Sequence, residues 1–183
     1  SGASPKVLIY TWIDERSMPA PGVFQAVYTG RLADLLRRAE QEVRYFTPLQ
    51  VGVRRGLLDR LRPFANQVVM TAQYLTIWDV IRSASSRLGA GHLRHAPEFR
   101  GADCRSLLLR ELVREWGSIE FASYRLWERA ARRLAAQEGR RIACVIYPFE
   151  NQPWEKLLCL AFRREAPGVR LLGYQHAAVD ALW

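Results

Sequence analysis

Lysine is nearly missing from this chain. Of its 27 basic residues only Lys6 and Lys156 are lysine, and the other 25 are arginine. Cysteine is sparse too: Cys104, Cys144 and Cys159 form no C-x-x-C pair and sit inside apolar runs. That excludes a zinc ribbon or a disulfide scaffold and reads as free thiols in a reducing compartment. No apolar stretch approaches the roughly 20 residues a membrane-spanning helix needs. No charged-then-apolar leader opens the sequence as given. The 12 glycines and 9 prolines show no period, so neither a collagen-like chain nor a repeat array fits. The sequence holds no G-x-G-x-x-G, no G-x-x-x-x-G-K-[ST] and no G-x-S-x-G, the signatures of dinucleotide sites, P-loop NTPases and serine hydrolases. Only three histidines occur. His92 and His95 make an H-x-x-H whose one near companion is Glu98, too few donors to read as a metal site.

What remains is an ordinary globular composition. Hydrophobic residues make up 49% and charged residues 25% of 183, too apolar for a disordered chain and long enough for one domain of roughly 100–200 residues. The net charge is +9. An arginine-rich surface of that sign attracts anions: phosphates, nucleotides, acidic sugars or acidic lipid headgroups.

Along the chain, residues 1–5 read as a cloning remnant or flexible lead-in, and residues 6–183 as one α/β domain. Lys6–Trp12 is short, apolar and β-branched, the pattern of a strand buried on both faces. A polar loop with Asp14, Glu15 and Arg16 follows. From about Val23 to Gln41 the period turns helical, with Leu32, Leu35, Leu36 and Ala39 on one face. Val43–Thr47 is a second strand. Strand, helix, strand within roughly 40 residues is a βαβ unit with a parallel sheet. Leu57–Leu61 suits a short helix; Val68–Thr71 fits a strand or a helix start equally. A helical insertion is expected over about 74–138: Tyr74–Leu88, Cys104–Trp116 and Ser118–Gln137. The last has Phe121, Leu126, Ala130 and Leu134 opposite Arg125, Arg129, Arg132 and Arg133, which reads as a solvated face. The alternation then resumes with a strand at Arg141–Tyr147, a helix at Pro153–Arg164 with proline in its first turn, and a strand at Val169–Tyr174. The expected fold is a Rossmann-like three-layer domain with a mainly parallel sheet.

In such folds ligands bind beyond the carboxyl ends of the strands. Asp14 and Arg16 fall there, as do Glu150, Asn151 and Gln152 after the third clear strand, and Gln175 and His176 after the last. Helix capping accounts for Asn151 or Gln152 accepting from free backbone N–H groups, and for Glu155 in the first turn. It accounts less well for Glu150, placed to enter the cleft, where a carboxylate accepts a proton from a sugar hydroxyl or holds it. His176 suits neutralising a phosphate, acting as a base, or a plain structural hydrogen bond. The arginine face of 125–133 lacks interleaved aromatics, and no helix-turn-helix or zinc-finger spacing supports a specific nucleic acid partner.

The segment Tyr147-Pro148-Phe149-Glu150-Asn151-Gln152-Pro153-Trp154-Glu155-Lys156, with Gly173-Tyr174-Gln175-His176 some 20 residues on, resembles bacterial surface-carbohydrate glycosyltransferases. These enzymes of capsule and lipopolysaccharide assembly, Kdo-transferase-like with a GT-B arrangement, carry Y-x-x-E-x-x-x-W-E after one strand and G-Y-Q-H after the next. The likeness covers about 30 residues strictly and reaches loosely to Tyr28–Leu32. It implies two Rossmann-like domains facing across a cleft, a nucleotide-sugar donor, CMP-linked sugars among the candidates, held mainly by the C-terminal domain, and a glycan acceptor on the N-terminal one. This chain then corresponds to the N-terminal half and needs a second domain in cis or in trans for activity. Glu150 and His176 become the catalytic candidates, and Asp14, Arg16, Asn151, Gln152 and Gln175 the substrate-binding ones. No D-x-D motif is present, and neither metal nor cofactor is expected. The implied setting is cytoplasmic, with peripheral contact at the inner face of the inner membrane. A non-catalytic module for an anionic sugar or nucleotide is the alternative, and a basic nucleic-acid-associated protein the weaker one.

Overall fold

The computed structural model of the chain describes residues 6–48, 55–85, 98–116 and 119–175. Its centre is a five-stranded sheet, every pair parallel, built from β1 (Lys6–Tyr10), β2 (Glu42–Thr47), β3 (Val68–Met70), β6 (Ile142–Pro148) and β7 (Arg170–Tyr174) in the order β3-β2-β1-β6-β7. A two-stranded antiparallel hairpin, β4 (Glu98–Phe99) and β5 (Ala102–Asp103), stands apart. Val68–Met70, undecided from sequence, is a strand because it completes the edge beside β2, with Tyr45 opposite Val68.

Apolar side chains on both faces make β1 the central strand. Leu8 and Tyr10 point to one layer, where they pack with Trp127, Leu134, Trp154, Leu158 and Phe162 of α5 (Ile119–Glu138) and α6 (Pro153–Glu165). Val7 and Ile9 point to the other, with Ala33 of α1 (Leu32–Arg38) and Leu57 and Leu61 of α2 (Arg55–Leu61). Helices on both faces of a parallel sheet make the three-layer α/β arrangement expected from the alternation. Between β3 and α5 lie α3 (Ile77–Ser85), the hairpin and α4 (Arg105–Trp116). Among the described residues, no helix is long and apolar enough to cross a membrane.

Two sequence expectations change. The helix read over about 23–41 is broken: Val27–Thr29 forms a 3₁₀ turn and α1 begins only at Leu32. Gly30 between them sits at φ +52°, outside the right-handed helical region and open to glycine. The buried side of α1 is then Ala33, flanked by half-buried Leu32 and Leu36, while Leu35 is exposed. On α5, Trp127 belongs to the core although the helical wheel did not select it.

The arginines of α5 are the second change: all four are paired rather than merely solvated, Arg125 with Glu128 of its own helix and the other three with residues of neighbouring helices. Asp79 of α3 is buried. It receives Arg133 Nη1 at 2.6 Å and Nη2 at 2.9 Å, and Arg129 Nη1 at 3.2 Å. Thr76 donates its N–H at 2.8 Å and its hydroxyl at 2.7 Å to the same carboxylate, so Asp79 also caps its own helix. Burial alone would raise the Asp79 carboxyl, but the Arg133 and Thr76 hydrogen bonds outweigh it and hold the group well below the ordinary carboxylate range. Arg132 pairs with Glu165 of α6 at 2.9 Å. The partners of Arg129, Arg132 and Arg133 lie 33 to 54 residues away in sequence, beyond the reach of helical periodicity.

Candidate functional site

The strand order reverses between β1 and β6. The chain leaves β1 toward β2 on one side, and leaves β6 toward β7 on the other. Loops that diverge in this way open a crevice at the carboxyl edge of the sheet, the usual ligand position in open α/β folds.

The loop after β1 is fixed by its own polar residues. Asp14 caps a 3₁₀ turn over Glu15–Ser17, accepting the Arg16 N–H at 2.9 Å. Its other oxygen takes Arg16 Nε at 3.0 Å and Nη2 at 2.6 Å. The Arg16 hydrogen bonds hold the Asp14 carboxyl below its ordinary range. Arg16 Nη2 also donates to the Tyr28 hydroxyl at 2.7 Å, and the guanidinium lies over the Tyr28 ring, 5.5 Å from its centroid. Half-buried Asp14 and Tyr28 therefore hold exposed Arg16 as a pre-oriented cation at the rim of the crevice.

The loop after β6 is held by Glu155, only 3% exposed. Its carboxylate collects the backbone N–H groups of Glu150 at 2.7 Å, Asn151 at 3.2 Å and Gln152 at 2.9 Å. Three donors converge because Asn151 adopts φ +59°, a left-handed conformation that asparagine tolerates better than most residues. The group that gathers the free N–H groups is thus Glu155, while Asn151 and Gln152 themselves are exposed. Glu150 is exposed as well. Its negative charge acts on Tyr174, whose phenol burial foremost pushes above the usual value. Glu150 and Tyr174 accordingly share the same rim.

The end of β7 closes the site. Phe149 N–H donates to Tyr174 O at 2.8 Å, and Tyr174 hydroxyl donates to Tyr28 O at 3.0 Å. Tyr147 stands opposite Gly173 and Pro148 opposite Tyr174. A Cβ on Gly173 would come within 3.2 Å of the Tyr147 ring, so glycine there lets the two strands' side chains pass. Gln175 is exposed just beyond the strand. His176 lies outside the described residues, as do His92 and His95.

An aromatic stack that the sequence reading did not single out supports the loops after β1 and β6. Tyr10 stacks on Trp154 at 4.2 Å between centroids. Trp12 meets Trp154 and Tyr28 edge-on, each at 5.4 Å. The signal was present as Tyr10 and Trp12 ending a strand, Tyr28 in the loop and Trp154 opening a helix, but nothing in the spacing says that they meet. Rigid rings beneath the loops fix where Arg16 and Glu150 emerge. Beside the β6–α6 loop a hollow of about 280 Å³ is bordered by Tyr147, Phe149, Asn151, Lys156 and Cys159. There the Cys159 thiol donates to the Tyr147 hydroxyl at 3.3 Å, and burial pushes the phenol up to about 12.

Of the site residues read from sequence, Asp14 and Arg16 are brought together directly, and Glu150, Asn151, Gln152 and Gln175 line the same carboxyl edge. Among the described residues no three histidine, cysteine or acidic side chains converge as they would around a metal ion. Comparison with known protein families, with curated proteins and with solved structures finds no match.

Proposed function

We propose that this chain is the acceptor-side domain of a glycosyltransferase that moves a sugar from a nucleotide-sugar donor, CMP-linked sugars among the candidates, to a bacterial surface polysaccharide or lipid-linked glycan. One observation carries the reading. The two segments that resemble such enzymes lie on neighbouring parallel strands, paired Tyr147 to Gly173 and Pro148 to Tyr174 at the carboxyl edge of the sheet, and the first of these strands borders the point where the strand order reverses. Glu150 and position 176 each follow two residues after that last pair.

The chemistry assigned is a displacement at the anomeric carbon. An acceptor hydroxyl attacks, its proton passes to the Glu150 carboxylate, and the bond between the anomeric carbon and the nucleotide phosphate breaks. The phosphate leaves with the electron pair, and the His176 imidazolium neutralises it. Arg16, held by Asp14 and Tyr28, offers a fixed cation to an acidic sugar. Asn151, Gln152 and Gln175 supply exposed hydrogen-bonding groups. A second domain, in cis or in trans, supplies the remaining donor contacts, and the reaction belongs at the cytoplasmic face of the inner membrane.

The test is transfer of labelled sugar by the full reading frame that encodes this chain. Glu150→Gln is expected to lower turnover at least about 100-fold while acceptor affinity is kept. Undiminished turnover in that variant overturns the assignment. Ligand binding without turnover in the unsubstituted protein favours a non-catalytic module instead.

A further inference from the structure

Helix α6 lends one stripe of its surface to the hollow beside the β6–α6 loop. Its buried face runs through Leu158, Ala161 and Phe162. The residues it gives to the hollow are Lys156, Cys159, Leu160 and Arg163, which steps of three and four residues bring into one line. Tyr147 and Phe149 supply the facing wall, and the space between is about 280 Å³, at the small end of ligand pockets. A Cβ on Gly173 would press on the Tyr147 ring at 3.2 Å and on Phe149 Cβ at 3.3 Å, so the bare position on β7 gives these two residues their room. The apolar part of the hollow is open to solvent: Leu160 is 61% and Phe149 54% exposed.

The rim of the hollow is cationic. Helix α6 carries two acids. Glu155 gives its oxygens to three loop N–H groups, and Glu165 pairs with Arg132 and Arg164. Among the described residues neither Lys156 nor Arg163 has a carboxylate partner. Even with Glu155 counted, two cations against one carboxylate leave one positive charge in excess. Ring and aliphatic walls favour a planar apolar body. An ammonium and a guanidinium about 10 Å apart along the helix axis favour an anion whose several oxygens can meet both, and a phosphate offers more of these than a carboxylate.

We propose that this hollow is a binding site for a small aromatic phosphate, its ring lying against Tyr147, Phe149 and Leu160 and its phosphate held by Lys156 and Arg163. None of these residues has a role in the sugar-transfer reading, and the site stands without it.

Cys159 is the reporter. It is half-buried at the hollow, and its thiol donates to the Tyr147 hydroxyl at 3.3 Å. Alkylation of the 183-residue chain by iodoacetamide tests the proposal, read peptide by peptide so that Cys104 and Cys144 are followed separately, with phenyl phosphate as the probe. Phenyl phosphate is expected to slow alkylation of Cys159 saturably and to leave that of Cys104 unchanged. Phenol and inorganic phosphate should each need roughly tenfold higher concentration or more for the same protection. Lys156→Gln combined with Arg163→Gln should weaken protection by phenyl phosphate roughly tenfold, and Phe149→Ala by a similar factor. All three side chains are exposed, so these variants should keep the melting temperature. Calorimetric titration with phenyl phosphate measures the same affinities without the thiol. The proposal is overturned if the folded variants bind and are protected like the unsubstituted chain, if phenol or inorganic phosphate protects equally well, or if phenyl phosphate neither protects nor binds. It is equally overturned if Cys159 resists alkylation in the folded chain without ligand, because the hollow is then already filled.

Discussion

Replacing Glu155 by glutamine changes one oxygen to an amide nitrogen and puts the candidate site's support to the test. In the native loop, Oε1 accepts from Glu150 and Gln152, and Oε2 accepts from Asn151. Glutamine keeps an oxygen for two of these bonds but without the charge, and turns an NH₂ toward the third N–H. A hydrogen bond to a charged group contributes about 1.5–3 kcal/mol net, a neutral one about half that, and an unsatisfied donor costs about 1–3 kcal/mol. Glu155 also sits in the first turn of α6, where a negative charge gains a further few tenths of a kcal/mol from the helix dipole. With water reaching part of the loop, the expected loss is about 2–3 kcal/mol, or a fall in melting temperature of roughly 5–10 °C for a chain of this size. Exposed Glu150→Gln should change stability by less than about 0.5 kcal/mol. Urea melts of the two variants read the difference directly. Equal midpoints for Glu155→Gln and the unsubstituted chain, at unchanged slope, would refute the idea that this carboxylate organises the β6–α6 loop.

Gly139→Ala should destabilise by about 1–3 kcal/mol in thermal melts, because the new methyl overlaps Ala166 Cβ, whose backbone is fixed at the end of α6. Asp79→Ala should cost about 2–4 kcal/mol at neutral pH, since it strands Arg129 and Arg133. The Asp79 carboxyl is depressed in the fold, so its contribution is complete above about pH 4 and drains away as the pH falls toward its lowered native value. The gap between the variant and the unsubstituted chain should therefore narrow between pH 4 and pH 3, and a gap independent of pH would contradict the assignment. Arg16→Ala should weaken binding of an acidic sugar roughly tenfold by calorimetry while moving the melting temperature little, because the Arg16 side chain is 65% exposed.

Much of this fold is written in local pattern. The runs at β1, β6 and β7 are short, apolar and bounded by turn residues, and Pro153 marks where α6 begins, so the parallel alternation is readable without coordinates. Carboxyl-edge placement of Asp14, Arg16 and Glu150 followed from that alternation alone. Other features needed partners far away in the chain. Nothing near Arg129 and Arg133 announces Asp79, and without that pair the orientation of α3 cannot be deduced from its own amphipathic pattern, which points the opposite way. The aromatic stack joins residues from position 10 to position 154. Glu155 was legible as a first-turn acid, but its capture of three N–H groups depends on the backbone of Asn151.

The central claim is that ligands meet this domain where the loops after β1 and β6 part. An amide chemical-shift titration of the isotopically labelled chain with a CMP-linked acidic sugar and with an anionic oligosaccharide tests it most directly. The account predicts shifts concentrated at residues 12–16, 28, 149–152 and 174–175. Shifts confined to the opposite edge, around Arg140, Arg141 and Gly168, or absent for every sugar and nucleotide tried, would contradict it.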